Sequence, residues 1–94
     1  MISKDKLEEE LRNIVNDLGF RDATTEVEQP GRWFHVVIAT KDFEGKTAGE
    51  RENVIWREFE ERFDDETILS ITQCYLLTPE EYEASFSHEP ALTT

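Results

Sequence analysis

One cysteine, three prolines and four glycines among 94 residues leave this chain little with which to staple, kink or loosen itself. Cys74 stands alone, so no disulfide can close within the chain and no all-cysteine metal site can form, which suits a reducing compartment. Long apolar runs are missing as well: none could span a bilayer, and the opening Met1-Ile2-Ser3-Lys4-Asp5-Lys6 lacks the apolar stretch of a signal peptide. The expectation is a soluble, cytoplasmic protein. Basic residues are scarce too, 10 Lys plus Arg against 22 Asp plus Glu, for a net charge of −12. Such a chain repels phosphate backbones instead of releasing their counterions, which counts against nonspecific nucleic-acid binding. The acid is spread over both long helical segments, the pattern of a solvated face serving solubility and partner selection.

A chain of this length forms one domain and buries roughly 60–65% of its unfolded surface, enough for a single modest core. Any site must then sit on the surface. No Gly-rich phosphate loop, nucleophile elbow or metal-spaced histidine pair occurs. The acidic runs Glu8-Glu9-Glu10 and Glu58, Glu60, Glu61 lack the apolar pocket that would tune a carboxylate for acid–base work. Enzymatic chemistry therefore has no residue set to rest on.

What is present is clean periodicity. Leu7, Leu11, Ile14, Val15 and Leu18 mark one face of a helix, with Ser3 as N-cap and Gly19 as C-terminal stop. Residues 23–29 alternate in the manner of a strand, Pro30-Gly31 turns the chain, and residues 33–40 give a second, more apolar strand. Thr47-Ala48-Gly49-Glu50 is a capping box that opens a helix to about Phe63, whose buried stripe is Ile55, Phe59 and Phe63 with Val54 or Trp56 at its edges. Asp64, Asp65 and Thr67 break that pattern. Residues 67–77 then predict a third strand, with Leu69, Ile71, Gln73, Tyr75 and Leu77 on one side and Ile68, Ser70, Thr72, Cys74 and Leu76 on the other. Thr78-Pro79-Glu80-Glu81 is a second capping box, opening a short helix through Tyr82 to about Phe86. The order helix-strand-strand-helix-strand-helix predicts an α+β domain over residues 1–86, a three-stranded mixed sheet covered by helices, with a loose tail at 87–94. The link from second to third strand is a right-handed crossover if those strands are parallel neighbours.

Phe43-Glu44-Gly45, a short polar gap and Arg51 follow the strand Phe34-His35-Val36-Val37-Ile38-Ala39 and precede the stripe Val54, Ile55, Phe59 and Phe63. This arrangement resembles the signature of the BolA family over residues 33–82. Glycine at 45 admits backbone closed to residues with a Cβ, Phe43 can plug the end of the core, and Arg51, unfavoured by the dipole near a helix start, calls for a carboxylate partner. The resemblance implies a BolA-like fold, related to the class II K-homology (KH) architecture. It also implies a non-enzymatic partner of a monothiol glutaredoxin in iron–sulfur or redox regulation, sharing a [2Fe-2S] cluster. BolA-like proteins place a histidine ligand at the start of the third strand, here Ser70, and a second histidine or cysteine in the first hairpin, here residues 30–33, which hold neither. A histidine usually follows the basic residue matched by Arg51; Glu52 stands there instead. Serine is a poor iron ligand.

Three other residues bear on ligands. His35 shares a strand face with Trp33 and Val37 and reads as a partly exposed strand histidine, while His88 lies in the tail. Cys74 is either a small buried hydrophobe or, if exposed near positive charge, a thiolate. Besides glutaredoxin partnership, two readings stand: an adaptor that kept the fold and lost the ligands, and a nucleic-acid-linked regulator using Lys41, Lys46 and Arg51, a patch that Glu44, Glu50 and Glu52 largely cancel.

Overall fold

The structure, a computed structural model, describes residues 2–87. The amphipathic helix α1 spans Lys4–Asp17, its first turn closed by the Ser3 hydroxyl accepting from the Lys6 N–H at 3.1 Å. Gly19, at φ +70°, ends it: the Phe20 N–H reaches back to the Val15 carbonyl and the Gly19 N–H to that of Asn16. Strand β1 (Thr24–Glu28) runs antiparallel to β2 (Phe34–Ala39), and β2 runs parallel to β3 (Ile71–Leu77), giving the order β1-β2-β3. Helix α2 (Ala48–Arg62) makes the crossover, and α4 (Pro79–Tyr82) follows β3. Both predicted capping boxes are formed, at Thr47/Glu50 and Thr78/Glu81.

The core lies between one sheet face and the helices. Phe34, Val36 and Ile38 of β2 are fully buried against Leu7, Leu11 and Ile14 of α1 and Ile55 and Phe59 of α2. Pairing register puts Val27, Cys74 and Leu76 on that same face. The opposite face carries the rows Glu28–His35–Gln73 and Glu26–Val37–Tyr75. Tyr82 crosses toward that face and donates its hydroxyl to Glu26.

Two sequence expectations need correction. Residues 67–70 belong to no strand: they complete a further helix, α3 (Asp65–Ser70), and β3 begins only at Ile71. Asp64, expected to break helical structure, caps this one, its carboxylate accepting from the Thr67 N–H at 2.9 Å. Burial of Thr67 and Ser70 at the helix end holds the turn. The strict alternation expected for the third strand also fails at its start. Phe34 pairs with Ile71 but His35 with Gln73, so Thr72 is an extra residue and Ile71 turns inward instead of sharing the face of Gln73 and Tyr75. The last helix continues as expected toward residue 86, but as a π-helical turn over Glu83–Ser87. His88 and the rest of the anticipated tail lie outside the described residues.

Gly45 and Gly49 differ in what their backbone demands. Gly45 sits at φ +78°, whereas Gly49 lies in the first turn of α2 with open space around a would-be Cβ. Gly45→Ala is expected to cost about 1–2 kcal/mol through left-handed strain, and Gly49→Ala to add about 0.5 kcal/mol by restricting the unfolded chain. Urea unfolding of the two variants checks both signs.

Candidate protein-binding surface

The corner that follows β2 is tied down before it reaches α2. Thr40 is fully buried and donates its hydroxyl to the Arg21 carbonyl at 2.7 Å. The Asp42 carboxylate accepts from the Arg21 N–H at 2.7 Å and faces its guanidinium at 3.3 Å. The Arg21 backbone bond, above all, lowers the Asp42 pKa. Phe43, fully buried, meets Phe20 edge-on at 5.3 Å, so the end of the core is filled.

Arg51 closes the other side of this corner. Its Nη1 donates to the Leu76 carbonyl at 2.9 Å and to Glu81 at 2.8 Å, its Nε donates to the Lys46 carbonyl at 3.1 Å, and its guanidinium lies 5.6 Å from the Phe43 ring centre. One side chain thus fastens the start of α2 to the end of β3 and to α4. The Arg51 bond holds the Glu81 carboxyl below its ordinary range. With Nε and Nη1 engaged and the side chain only 11% exposed, Arg51 is drawn away from the basic patch with Lys41 and Lys46 that nucleic-acid binding would need.

The positions at which BolA resemblance would put ligands do come to one end of the sheet, because pairing of Phe34 with Ile71 sets Trp33 and Ser70 at neighbouring strand starts. The chemistry there is wrong for iron. Ser70 is buried, and its Oγ–H donates to the Thr67 carbonyl at 2.6 Å, so the hydroxyl is turned into the protein and is not presented at the surface to a metal. His35 and Cys74 cannot substitute together, since they lie on opposite faces of the sheet. His35 lines a small outer-face pocket with Glu26, Glu28, Val37 and Tyr75, while Cys74 points toward the helix layer. Burial, and then the nearby Glu52 charge, push the Cys74 thiol up to about 12. Among the described residues no three side chains of His, Cys, Asp or Glu gather as a metal site. Among the described residues, the side chains at this end of the sheet do not fit a shared [2Fe-2S] cluster.

Cys74 should accordingly be inert in the folded protein. Reaction with iodoacetamide at pH 8 is expected to run about a thousandfold slower than after unfolding in urea, since the thiolate is the nucleophile. Above the ordinary thiol pKa the unfolded chain loses a proton that the folded chain keeps, so this group lowers stability as pH rises from about 8.5.

What the sequence did not reveal is the apolar material at this end of the sheet. Trp33 is 43% and Leu69 75% exposed there; with Tyr75, 40% exposed and farther along β3 opposite Val37, they are the exposed large hydrophobic residues of the described chain. Arg32 stacks over Trp33 at 5.0 Å. Leu69 was concealed because the strand reading of residues 67–77 gave it a sheet face, whereas α3 leaves it in solvent. Beside β3 lies a groove of about 170 Å³ lined by Ala48, Glu52, Cys74, Tyr75, Leu76 and Leu77. A larger, open hollow of about 430 Å³ near Ile2 and Phe63 has its cations already spent: Arg62 bonds Asp17 at 2.6 Å and Glu58 at 3.1 Å, and Lys6 faces Glu10 at 3.4 Å.

No helix among the described residues is long and apolar enough to cross a membrane. No protein-family model matches the chain, and no curated protein does. Among solved structures, the chain is similar to the crystal structure of a protein described as "bol-like" from Babesia bovis. The identity is 26%, the match covers 89% of this chain and 93% of that one, and the TM-score is 0.52.

Proposed function

We infer, since the chain has a BolA-like fold, that it is a non-enzymatic protein-binding module whose partner is a monothiol glutaredoxin, acting in iron–sulfur or redox regulation without supplying ligands of its own. The observation that carries this reading is the state of the ligand end. A fold of the BolA kind presents Ser70 buried and hydrogen-bonded, residues 30–33 free of histidine and cysteine, and exposed Trp33 and Leu69 beside them. Apolar side chains set in an acidic surface suit docking, and aromatic anchors dominate such contacts. On this reading α2, the start of β3 and these apolar side chains are what the partner holds.

The test is complex formation with a monothiol glutaredoxin by sedimentation, for the wild-type chain and for Trp33→Ala and Leu69→Ser. A complex weakened at least about tenfold by Trp33→Ala supports the reading. No complex with the wild-type chain removes it. The adaptor reading keeps the same surface and exchanges the partner, and the ligand-free end favours it too. Its mark is a pull-down in which a protein other than a glutaredoxin binds directly and loses binding in Leu69→Ser.

A further inference from the structure

The two edges of the sheet are treated differently. β1 carries two glutamates in its five residues, a common way of keeping an open edge from pairing. β3 is seven residues long, Ile-Thr-Gln-Cys-Tyr-Leu-Leu, with no charge, proline or glycine. It pairs with β2 along one side, and no described strand lies along the other.

The backbone directions follow from two bonds. The Leu77 carbonyl accepts from the Thr40 N–H, on the β2 side, at 3.0 Å. The Leu76 carbonyl, one residue earlier, accepts from Arg51 on the opposite side. Because backbone groups alternate along a strand, the amide groups of Cys74 point outward with those of Leu76. Arg51 thus caps this edge at one end and the extra residue Thr72 bends it at the other. Between them a short ladder faces the groove beside α2.

We infer that this edge of β3 receives an extended, lysine- or arginine-bearing segment of a partner protein as a fourth strand, its basic side chains entering the groove beside Glu52. Strand addition supplies backbone hydrogen bonds, and alternate side chains supply selectivity. The charge is what selects the occupant. Glu52 lines the groove, Glu80 follows past the end of the strand, Glu81 there is already paired with Arg51, and the whole chain carries −12. A second copy of this chain would bring like charge to like charge, whereas a basic segment is attracted to it. The inference rests on the protein-partner reading above and adds how a partner is held.

The probe is a blocked seven-residue peptide of alternating lysine and valine, with a glutamate–valine peptide as its counterpart, added at low salt to the isotope-labelled full chain. Amide exchange and chemical shifts of Cys74 and Leu76 are the readout. The lysine peptide is expected to slow exchange at both amides, the glutamate peptide to leave them alone, and Glu52→Lys to weaken the lysine peptide about tenfold, the loss of roughly one favourable charge pair. Unchanged Cys74 and Leu76 amides, equal action of the two peptides, or self-association of the chain through β3 would each overturn the inference. A glutaredoxin complex that leaves both amides unchanged, together with an inactive lysine peptide, sinks the fourth strand while the partnership stands. Peptide binding without a glutaredoxin complex supports the strand and sinks the partnership.

Discussion

Phe59→Ala is expected to remove about 3–5 kcal/mol of stability, the usual cost of emptying a phenylalanine site in a packed core. Phe59 is fully buried at the centre of the α2 stripe, with its ring meeting Trp56 edge-on at 4.9 Å and Phe63 at 5.4 Å. Deleting it strips contacts from both neighbours as well as leaving a void. Small domains hold only about 5–15 kcal/mol in total, so the variant should sit close to its unfolding midpoint at room temperature. Phe59→Leu keeps most of the volume and should cost roughly 1–2 kcal/mol, while Glu60→Ala, one residue along on the exposed face, should change stability by less than about 0.5 kcal/mol. Urea titrations of the three variants rank them. Equal losses for Phe59→Ala and Glu60→Ala would mean that α2 does not pack as described.

Arg51→Ala should cost about 2 kcal/mol, mostly from the Leu76 carbonyl left without its charged donor. The ion pair itself contributes little, because Glu81 is 48% exposed and water screens it. Arg51→Lys should recover less than half, since a single ammonium cannot span Leu76, Glu81 and Lys46 as the guanidinium fork does. A pH series separates the contributions. The lowered Glu81 pKa stabilises the fold above the ordinary glutamate range and loses that contribution as pH falls through the depressed value. Arg51→Ala should therefore flatten the acid side of the stability curve as well as lower it. An unchanged acid limb would place the Glu81 effect on its Thr78 bonds alone.

Local hydrogen bonding was readable in the chain because its partners sit three residues apart. Ser3, Thr47-Glu50 and Thr78-Glu81 announce their caps by spacing, and the stripes of α1 and α2 follow from period alone. The demand of Arg51 for a carboxylate was also legible from its place near a helix start. That the carboxylate is Glu81, 30 residues on, and that the Leu76 carbonyl shares the fork, depends on how β3 and α4 meet α2.

The segment from Asp64 to Ser70 misled for a physical reason. Thr67, Ile68 and Ser70 suit a strand about as well as a helix turn, and the balance was tipped by burial of Thr67 and Ser70, which sequence period does not encode. That one helix moved Leu69 into solvent and sealed Ser70 inward, so it changed what the candidate site offers. Similarly, the bulge at Thr72 decides which side of β3 faces the core, and the strand order leaves no described strand along the outer side of β3.

A partner is expected to grip this chain while no described side chain of it ligates the partner's metal. Visible circular dichroism of a [2Fe-2S]-loaded monothiol glutaredoxin, recorded with and without the chain under conditions where sedimentation shows the complex, tests it most directly. The spectrum should be the glutaredoxin's own, unaltered when the chain binds. A new visible band that appears with the chain and vanishes in His35→Ala or Cys74→Ser would mean that the chain does ligate the cluster.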